Sequence, residues 1–477
     1  MIERYFRVSE RGSTIPRELR GGLVTFMAMA YIIVLNPLIL GSLTATDPSA
    51  KTDVLGGILP VAQVAAVTAL VAGVMTILFG VIANYPFAIA TGLGINTLLA
   101  VTIAPMMTWP EAMGLVVIDG IIIVILALTG FRTAVFNAVP TELKTAIAVG
   151  IGAFIALVGL VDAGFVRRLP DAANTTVPVG LGIDGSIASW PTFVFVLGLV
   201  IVGVLVARGV RAGILIGIVI NTIIAIVVEA FAQAGQSGPD NPTGWSLAVP
   251  TLPDQVVGLP DLSLVGQVSF GAFSRLDLIT VVLLIFTLVL ANFFDAMGTL
   301  TGLGKQAGLT DADDRLPNVG KALVVEGAGA VAGGAGSASS NTLFVESAAG
   351  VAEGARTGIA NVLTGVLFLL AMFFTPLYAI IPVEAAAPAL VVVGALMFRQ
   401  ITSITLDDLQ TAIPVFLTVT VMPFTYSIAN GIGAGFISYV ALAAATGRAR
   451  QVHPLMWVVA VLFVGYFGVG PLRELFA

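Results

Sequence analysis

Four acidic residues lie inside strongly apolar stretches of this sequence, and they are the side chains best placed to do chemistry. They are Asp119 in LVVIDGIII, Asp295 in LANFFDAMGT, Glu326 in LVVEGAG and Glu346 in NTLFVESAAG. An acid inside a membrane is costly, and none of these stretches contains a Lys or Arg to neutralise it. Removal from water favours the neutral carboxyl form, so we expect these acids to take up protons and to couple protonation to a conformational change.

Two polar residues follow entries into short apolar segments that are rich in glycine. Glu346 follows GGAGSASSN, and Asn96 ends NYPFAIATGLGIN. We expect Glu346 to lie about one turn into a half-helix, where its oxygens accept hydrogen bonds from a planar ligand with adjacent N–H groups. Asn96 occupies the comparable place and offers both a donor and an acceptor. Phe293, Phe294 and Phe344 are candidates for a stacking face.

Structural roles are the alternative for each of these residues. Glu346 could cap the backbone of the broken helix, and Asn96 could be the N-cap of its half-helix. Glu326 and Asp119 could form helix-to-helix hydrogen bonds while protonated. The three phenylalanines could simply pack in the core, because Phe is common in every membrane helix.

The overall composition identifies the class of protein. The 477 residues are 58% hydrophobic and only 10% charged, and the mean hydropathy is +1.04, whereas soluble domains carry about 25% charged residues. The sequence therefore predicts an all-α polytopic membrane protein. The absence of Cys excludes thiolate metal sites, and the lone His453 excludes a multi-histidine centre. The net charge of −6 argues against nucleic-acid binding, and we expect no metal and no cofactor.

Apolar stretches bounded by Gly, Pro and charged residues predict fourteen membrane-spanning segments. The polar residues 233–275 separate the first seven spans from the last seven, and the first span is expected to be retained. A final apolar stretch, 455–469, could be a further span or an interfacial helix. The predicted spans lie near residues 21–40, 60–83, 96–105, 112–130, 142–162, 190–207, 212–232, 277–299, 319–334, 342–352, 357–380, 385–398, 410–424 and 428–446.

The two sets of spans resemble each other. VPTELKTAIAVGIGA (139–153) matches IPVEAAAPALVVVGA (381–395) at a proline, a glutamate and a glycine, although small residues also match by chance. Seven spans per repeat is an odd number, so the repeats insert in opposite orientations, as in inverted-repeat transporters. The third and tenth spans are short, and we expect each to be a short strand plus a half-helix beside a binding site at the repeat interface.

Positive charges indicate the orientation in the membrane. With a cytoplasmic N-terminus, most loop arginines and lysines fall on the cytoplasmic side, and the exception is Arg167–Arg168. We therefore expect a multi-pass protein of the cell membrane with its N-terminus in the cytoplasm. The charges assigned to the cytoplasmic side include Arg132, Lys144, Arg208, Arg211, Arg356, Arg399, Arg448 and Arg450.

Several motifs make the chain resemble the nucleobase–cation symporter-2 family, in its AzgA-like purine permease branch. The most specific motifs are MAYIIVLNP, TGLGIN, FFDAMGTLTG and FVESAAGVAEGARTG, and the similarity covers almost the whole chain. Two departures leave the particular purine open. Thr91 stands where the family usually has Pro, and FVES replaces an aromatic-Ile-Glu-Ser pattern.

The resemblance implies proton-coupled uptake of adenine, guanine or hypoxanthine by alternating access, in a homodimer. It also implies a core domain (1–130 and 276–380) and a gate domain (131–275 and 381–450), followed by a C-terminal segment (451–477). The substrate-binding residues that it implies, with two aromatic candidates added, are Asn96, Asp295, Glu346, Phe294 and Phe344. The candidates for proton coupling are Asp295, Glu346, Glu326 and Asp119.

Two rival functions are weighed against this one. An anion transporter or exchanger of the same fold needs a cation or free helix N-termini facing its ligand, whereas these entries carry Asn96 and Glu346. An intramembrane hydrolase needs a nucleophile with a base or a metal, and the chain has no Cys and a single His. We therefore expect a transporter and not an enzyme.

Overall fold

The described part of the chain is built almost entirely from apolar helices, and ten of the helical segments found there are long and apolar enough to cross a membrane. It is seen in a computed structural model. The structure describes residues 2–45, 50–168, 179–183, 185–187, 189–238, 240–253, 255–310, 316–317 and 319–476.

Ten helices precede the polar segment 233–275, and they include all seven predicted spans of the first repeat. The third span is the short helix α5, continued by a π turn over Leu99–Ile103 and a 3-10 turn over Ala104–Met106. The helices are α1 Ile2–Phe6, α2 Ile15–Met29, α3 Ile32–Leu40, α4 Val61–Ala83, α5 Leu93–Leu98, α6 Trp109–Leu128, α7 Phe131–Ala138, α8 Thr141–Asp162, α9 Trp190–Ala207 and α10 Gly213–Ala232.

The remaining helices contain the seven predicted spans of the second repeat. The tenth span is the six-residue helix α14. The helices are α11 Ala272–Arg275, α12 Leu278–Gln306, α13 Val319–Ala335, α14 Ser347–Ala352, α15 Gly358–Ala371, α16 Thr375–Tyr378, α17 Val383–Phe398, α18 Leu409–Phe424, α19 Ile428–Ala445 and α20 Pro454–Phe476.

Among the residues that the structure describes, six short strands form three pairs. β1 (Gly41–Ser42) pairs in parallel with β2 (Leu59–Pro60), and β4 (Val166–Arg168) pairs antiparallel with β5 (Val179–Leu181). The third pair joins β3 (Ile89–Thr91), which precedes α5, to β6 (Asn341–Leu343), which precedes α14. The short strands predicted for the two broken spans are therefore present, and they pair with each other.

The first span is two helices and not the single predicted one. α2 ends at Met29 and α3 begins at Ile32. Between them the chain makes tightened turns, with the amide of Ile33 donating to Ala30 O (3.1 Å) and that of Val34 donating to Tyr31 O (3.0 Å). This break holds the side chain of Tyr31 in the protein interior.

The spans pack in two groups. The first helix group contains α2, α3, α4, α6, α12, α13, α14 and α15, and the second helix group contains α8, α9, α10, α17, α18 and α19. The half-helix α5 contacts α3 and α12 of the first group and α8 of the second. In membranes such packing depends on small residues that let backbones approach closely.

The closest approach within the second group joins the two segments that match in sequence. α8 and α17 follow Pro140 and Pro382, and they cross where Gly152 faces Gly394. A Cβ added at Gly152 would lie 2.7 Å from the carbonyl oxygen of Gly394 and 2.6 Å from the Cβ of Met397. The matching glycines are thus required by a contact between the two repeats.

The linker helix α7 is fastened to the first group by a buried ion pair. Arg132 Nη1 lies 2.5 Å from Glu326 Oε2 of α13, and both side chains are 0% exposed. The guanidinium carbon of Arg132 also lies 5.5 Å from the centroid of the Phe293 ring. The expectation that Glu326 has no cationic neighbour is therefore wrong, because the partner comes from outside the span that holds the acid.

The final apolar stretch is the helix α20, which packs against α19 and α7. Its Phe463 is fully buried between Phe286 of α12 and Phe436 of α19, with ring centroids 5.5 Å and 6.0 Å away. α20 therefore contacts both helix groups.

We predict that Gly152→Ala destabilises the protein by about 1–3 kcal/mol, because the new methyl group overpacks the crossing of α8 and α17. Gly203→Ala is the control, since a Cβ at Gly203 of α9 has open space around it. Thermal unfolding in detergent should show a lower midpoint for the first variant only. Equal midpoints for the two variants would contradict the packing described for Gly152.

We predict that Glu326→Leu alone lowers the free energy of unfolding by about 3–5 kcal/mol, because it leaves the Arg132 guanidinium buried and unpaired. The double variant Arg132→Met/Glu326→Leu should recover most of that loss. The measurement is a double-mutant cycle on thermal or denaturant unfolding, completed by Arg132→Met. Losses that simply add would show that the two side chains do not interact.

Candidate functional site

The site is organised around the antiparallel pair of β3 and β6, which lies in the middle of the helices. This strand pair is called the crossing below. Thr91 pairs with Asn341, and Ala90 pairs with Thr342, in an antiparallel register. The amide of Gly92 donates to Ser340 O, and that of Phe344 donates to Ala88 O, both at 3.0 Å. Non-helical backbone survives at this depth only when its polar groups are bonded internally, and here each interrupted span bonds the other.

Glu346 lies where β6 turns into α14. It is the N-cap residue of this helix and is not one turn inside it, so that part of the expectation is wrong. Its side chain makes no capping hydrogen bond; instead, the hydroxyl group of the buried Tyr31 donates to Glu346 Oε1. The carboxylate is half-buried.

Phe344 lies on the same side of the crossing as Glu346. Its ring centroid is 6.5 Å from that of Tyr31, with the two ring planes tilted by 47°. Phe294 lies elsewhere, packed against Phe293 and against Phe436 of α19. Phe344 is thus the predicted aromatic side chain that lies beside Glu346, whereas Phe294 lies at a contact between the two helix groups.

Asn96 lies inside α5 and is fully buried. It is not the N-cap, because Gly92 occupies that position. The Asn96 Nδ2 donates to Thr91 Oγ1 at 3.2 Å, while its Oδ1 has no hydrogen-bond partner among the described residues. A buried amide oxygen without a partner is a free acceptor beside the crossing.

Asp295 of α12 reaches the same crossing from a third direction. Its Oδ2 would lie 3.8 Å from a Cβ added at Gly92, and Thr342 Cγ2 would lie 3.0 Å from that point. The helix α12 contacts both half-helices, and like Glu346 the Asp295 side chain is half-buried.

Asp119 of α6 is sealed inside the first helix group. Its Oδ2 accepts hydrogen bonds from Asn292 Nδ2 (3.1 Å) and from Ser340 Oγ (3.5 Å). Ser340 is also the residue whose carbonyl oxygen accepts from Gly92. Asp119 therefore supports the crossing through Ser340. Its hydrogen bond from Asn292 joins α6 to α12, which is the helix-to-helix contact considered as its structural role.

The four intramembrane acids thus form two kinds. Asp119 and Glu326 are fully buried and bonded to named neighbours, whereas Asp295 and Glu346 are half-buried beside the crossing. Two apolar grooves on the described surface lie elsewhere, between α6 and α13, and neither is lined by a predicted site residue. The candidate site is therefore identified by the types of its side chains and not by the size of a groove.

Sequence reasoning missed three residues that support the site. Tyr31 belongs to the motif MAYIIVLNP, and its hydroxyl group in a long apolar span was an available signal. Asn292 stands three residues before Asp295, and its polar side chain in an apolar span was a signal of the same kind. For Arg132 the sequence carries no such signal, because only the chain's return to α13 brings it against Glu326.

Known proteins resemble this chain over nearly its whole length. A family model described as "Permease family" matches residues 17–433. The guanine/hypoxanthine permease PbuG of Bacillus subtilis is 37% identical over 470 residues, which cover 98% of this chain and 99% of that protein. The adenine permease AdeQ of Escherichia coli is 35% identical over 464 residues, which cover 97% of this chain and 95% of that protein.

Solved structures show the same fold. The transmembrane domain of a cyanobacterium bicarbonate transporter, BicA, superposes with a TM-score of 0.61 over 88% of this chain and 96% of that chain, at 15% identity. The murine anion transporter Slc26a9 superposes with a TM-score of 0.56 over 90% of this chain and 69% of that chain, at 12% identity. These likenesses concern the fold alone, and they confirm the two inverted repeats of seven spans.

The motifs, the family match and the relatives at more than one third identity all agree over nearly the whole chain. They describe a multi-pass membrane permease and not an enzyme. The chain therefore belongs to the nucleobase–cation symporter-2 family of permeases, as its motifs predict.

Proposed function

We propose that this protein takes up a purine nucleobase together with a proton by alternating access. The observation that carries the proposal is the placement of two half-buried acids, Glu346 and Asp295, together with the unpaired amide oxygen of Asn96, around the strand pair that leads into both half-helices. The relatives named as guanine/hypoxanthine and adenine permeases support the substrate class.

Glu346 is proposed to hold the edge of the base. The hydroxyl group of Tyr31 donates to one oxygen of the Glu346 carboxylate and fixes the orientation of that carboxylate. The other oxygen is proposed to accept an N–H of the ligand. Asn96 is proposed to complete the polar contacts with its free oxygen. The ring of Phe344, beside Tyr31, supplies an apolar face of the kind on which a heterocycle stacks.

Proton coupling is assigned to Asp295 and Glu346 and not to the two sealed acids. Glu326 is paired with Arg132, and both Glu326 and Asp119 are fully buried away from water, so neither is assigned to the exchange of a proton with solvent. Asp295 and Glu346 are half-buried beside the same strand pair, and one of the two is proposed to carry the transported proton. A proton and a neutral base would then neutralise the site together.

The movement is proposed to occur between the two helix groups, with the first as the core domain and the second as the gate domain. The half-helices and all four acids belong to spans placed in the core, while α5 and α12 also contact the second group. The cytoplasmic N-terminus and the homodimer expected from the family resemblance belong to the same proposal.

An anion is the rival substrate, because solved anion transporters share the fold. The site disfavours it, since two carboxylates line the crossing. Arg132 is the one fully buried cation among the described residues, and it is already paired with Glu326 and packed against the Phe293 ring. An excess of sulfate or bicarbonate is expected to leave purine binding unchanged.

We predict that proteoliposomes containing the protein accumulate radiolabelled hypoxanthine, guanine or adenine when an inward proton gradient is imposed. A protonophore should abolish accumulation, and empty liposomes are the control. Uptake that is indifferent to the gradient would contradict proton coupling, while no uptake of any of the three bases would contradict the substrate class.

We predict that Glu346→Gln weakens purine binding by about 10–100-fold, because a charge-assisted hydrogen bond is worth about 1.5–3 kcal/mol. Asp261→Asn is the control: Asp261 lies in the polar segment, where its hydrogen bonds to Ser263 and Gln63 hold its pKa below the usual range. Equilibrium binding to the purified protein should separate the two variants. Unchanged affinity in Glu346→Gln would remove this residue from the site.

A further inference from the structure

Two ion pairs join the first helix group to the second. Lys51 Nζ, in the loop after α3, lies 3.0 Å from Asp162 Oδ1, at the last residue of α8. Arg211, in the loop between α9 and α10, pairs with Glu353 Oε1, directly after α14. Glu353 also pairs with Arg20 of α2 within the first group, at 3.3 Å. The Lys51–Asp162 pair and the Arg211–Glu353 pair therefore each take one partner from each helix group.

The two pairs lie on opposite faces of the helices. Glu353 is followed by Gly354, whose carbonyl oxygen accepts from Ser13 Oγ at 2.8 Å, so this pair lies on the face that carries the N-terminus. Lys51 follows a complete span, formed by α2 and α3, and it precedes Asp53, which binds the first turn of α6 through the amide of Trp109 (3.1 Å). The Lys51 pair therefore lies on the other face.

Each pair lies at the outer end of one half-helix. α14 begins beside Glu346 and ends at its C-cap residue, which is Glu353. α5 continues through its π and 3-10 turns to Met107, whose carbonyl oxygen accepts from the amide of Val54 at 3.3 Å, in the loop that carries Lys51. The two segments that form the site are thus each connected, at the end away from the site, to a contact with the second helix group.

Neither pair is fully buried, which indicates contacts that can break. Arg211 is 61% exposed, and Lys51 and Asp162 are 25% and 11% exposed, while Glu353 is 14% exposed and keeps Arg20 as a partner when Arg211 leaves. Ion pairs that reach solvent are weaker than fully buried ones. Such pairs bias a conformation without trapping it, in contrast to the fully buried pair of Arg132 and Glu326.

We propose that the Lys51–Asp162 and Arg211–Glu353 pairs are two locks, one on each face, which open alternately. Opening the site toward the N-terminal face separates Arg211 from Glu353 while the other pair stays closed. Opening toward the opposite face separates Lys51 from Asp162. The inference rests on the proposed alternating access, and both pairs being formed here corresponds to a conformation closed on both faces.

Cross-linking tests the locks directly, because the chain has no cysteine of its own. The variants Lys51→Cys/Asp162→Cys and Arg211→Cys/Glu353→Cys are each reconstituted, treated with a cleavable bifunctional thiol reagent and assayed for proton-driven hypoxanthine uptake. We expect either cross-link alone to reduce uptake at least tenfold and a reductant to restore it. A single closed lock suffices, because every cycle must open both faces in turn.

The matched control is Glu111→Cys/Arg275→Cys. This pair, with 2.7 Å between Arg275 Nε and Glu111 Oε2, joins the start of α6 to α11, immediately before α12, so it lies within the first group. Its cross-link should leave uptake within about twofold of the untreated variant. Full uptake after complete cross-linking of either lock would overturn the proposal, and so would an equal loss in the control.

Charge exchange covers the case in which a cysteine variant fails to fold. Lys51→Asp should change the uptake rate, and Lys51→Asp/Asp162→Lys should restore it; the same is expected of Arg211→Glu and Arg211→Glu/Glu353→Arg. Failure of both exchanges to restore uptake would overturn the proposal. Failure of the proposed function is a separate outcome, because the unmodified protein would then take up no purine before any reagent is added.

Discussion

The structure depends on one constraint: backbone polar groups at the depth of a membrane must find partners within the protein. Two of the fourteen spans are interrupted, and each would leave unpaired amides and carbonyl groups if it stood alone. The antiparallel pairing of β3 with β6 satisfies both at once. Because the partners come from different repeats, this pairing also brings the two half-helices to a common point. The candidate site is therefore a consequence of how the interruptions are stabilised.

The same region shows how the surroundings of an acid decide its role. Glu326 and Asp119 are fully buried, and each bonds to named neighbours through one carboxylate oxygen: to an arginine from the linker helix α7 in the first case, to an amide and a hydroxyl group in the second. These acids hold helices together and support the crossing. Asp295 and Glu346 instead retain partial exposure. We expect acids that bind a ligand and a proton to be partly exposed, as Asp295 and Glu346 are.

The fold also shows why likeness of architecture and likeness of function separate here. Solved anion transporters share the arrangement of spans at 12–15% identity, so the crossing of two broken spans does not itself select a substrate. Selection is left to the few side chains that project toward the crossing. We propose that in this chain they are the carboxylates of Glu346 and Asp295 and the amide of Asn96, beside Phe344, a set that suits a flat hydrogen-bonding solute better than an anion.

Much of this protein could be predicted from local sequence, because hydropathy, helix-breaking residues and motifs are local properties. They indicated the fourteen spans, the two interrupted segments, the family, and the three polar residues Asn96, Asp295 and Glu346. What local sequence could not reveal depends on residues that are distant in the chain. Arg132 reaches Glu326 across 194 positions, and Tyr31 reaches Glu346 across 315. The break at Tyr31 and the burial of Arg132 arise from packing between helices. Only the tertiary structure, therefore, decided which acids are fully buried beside named partners and which keep partial exposure at the paired strands.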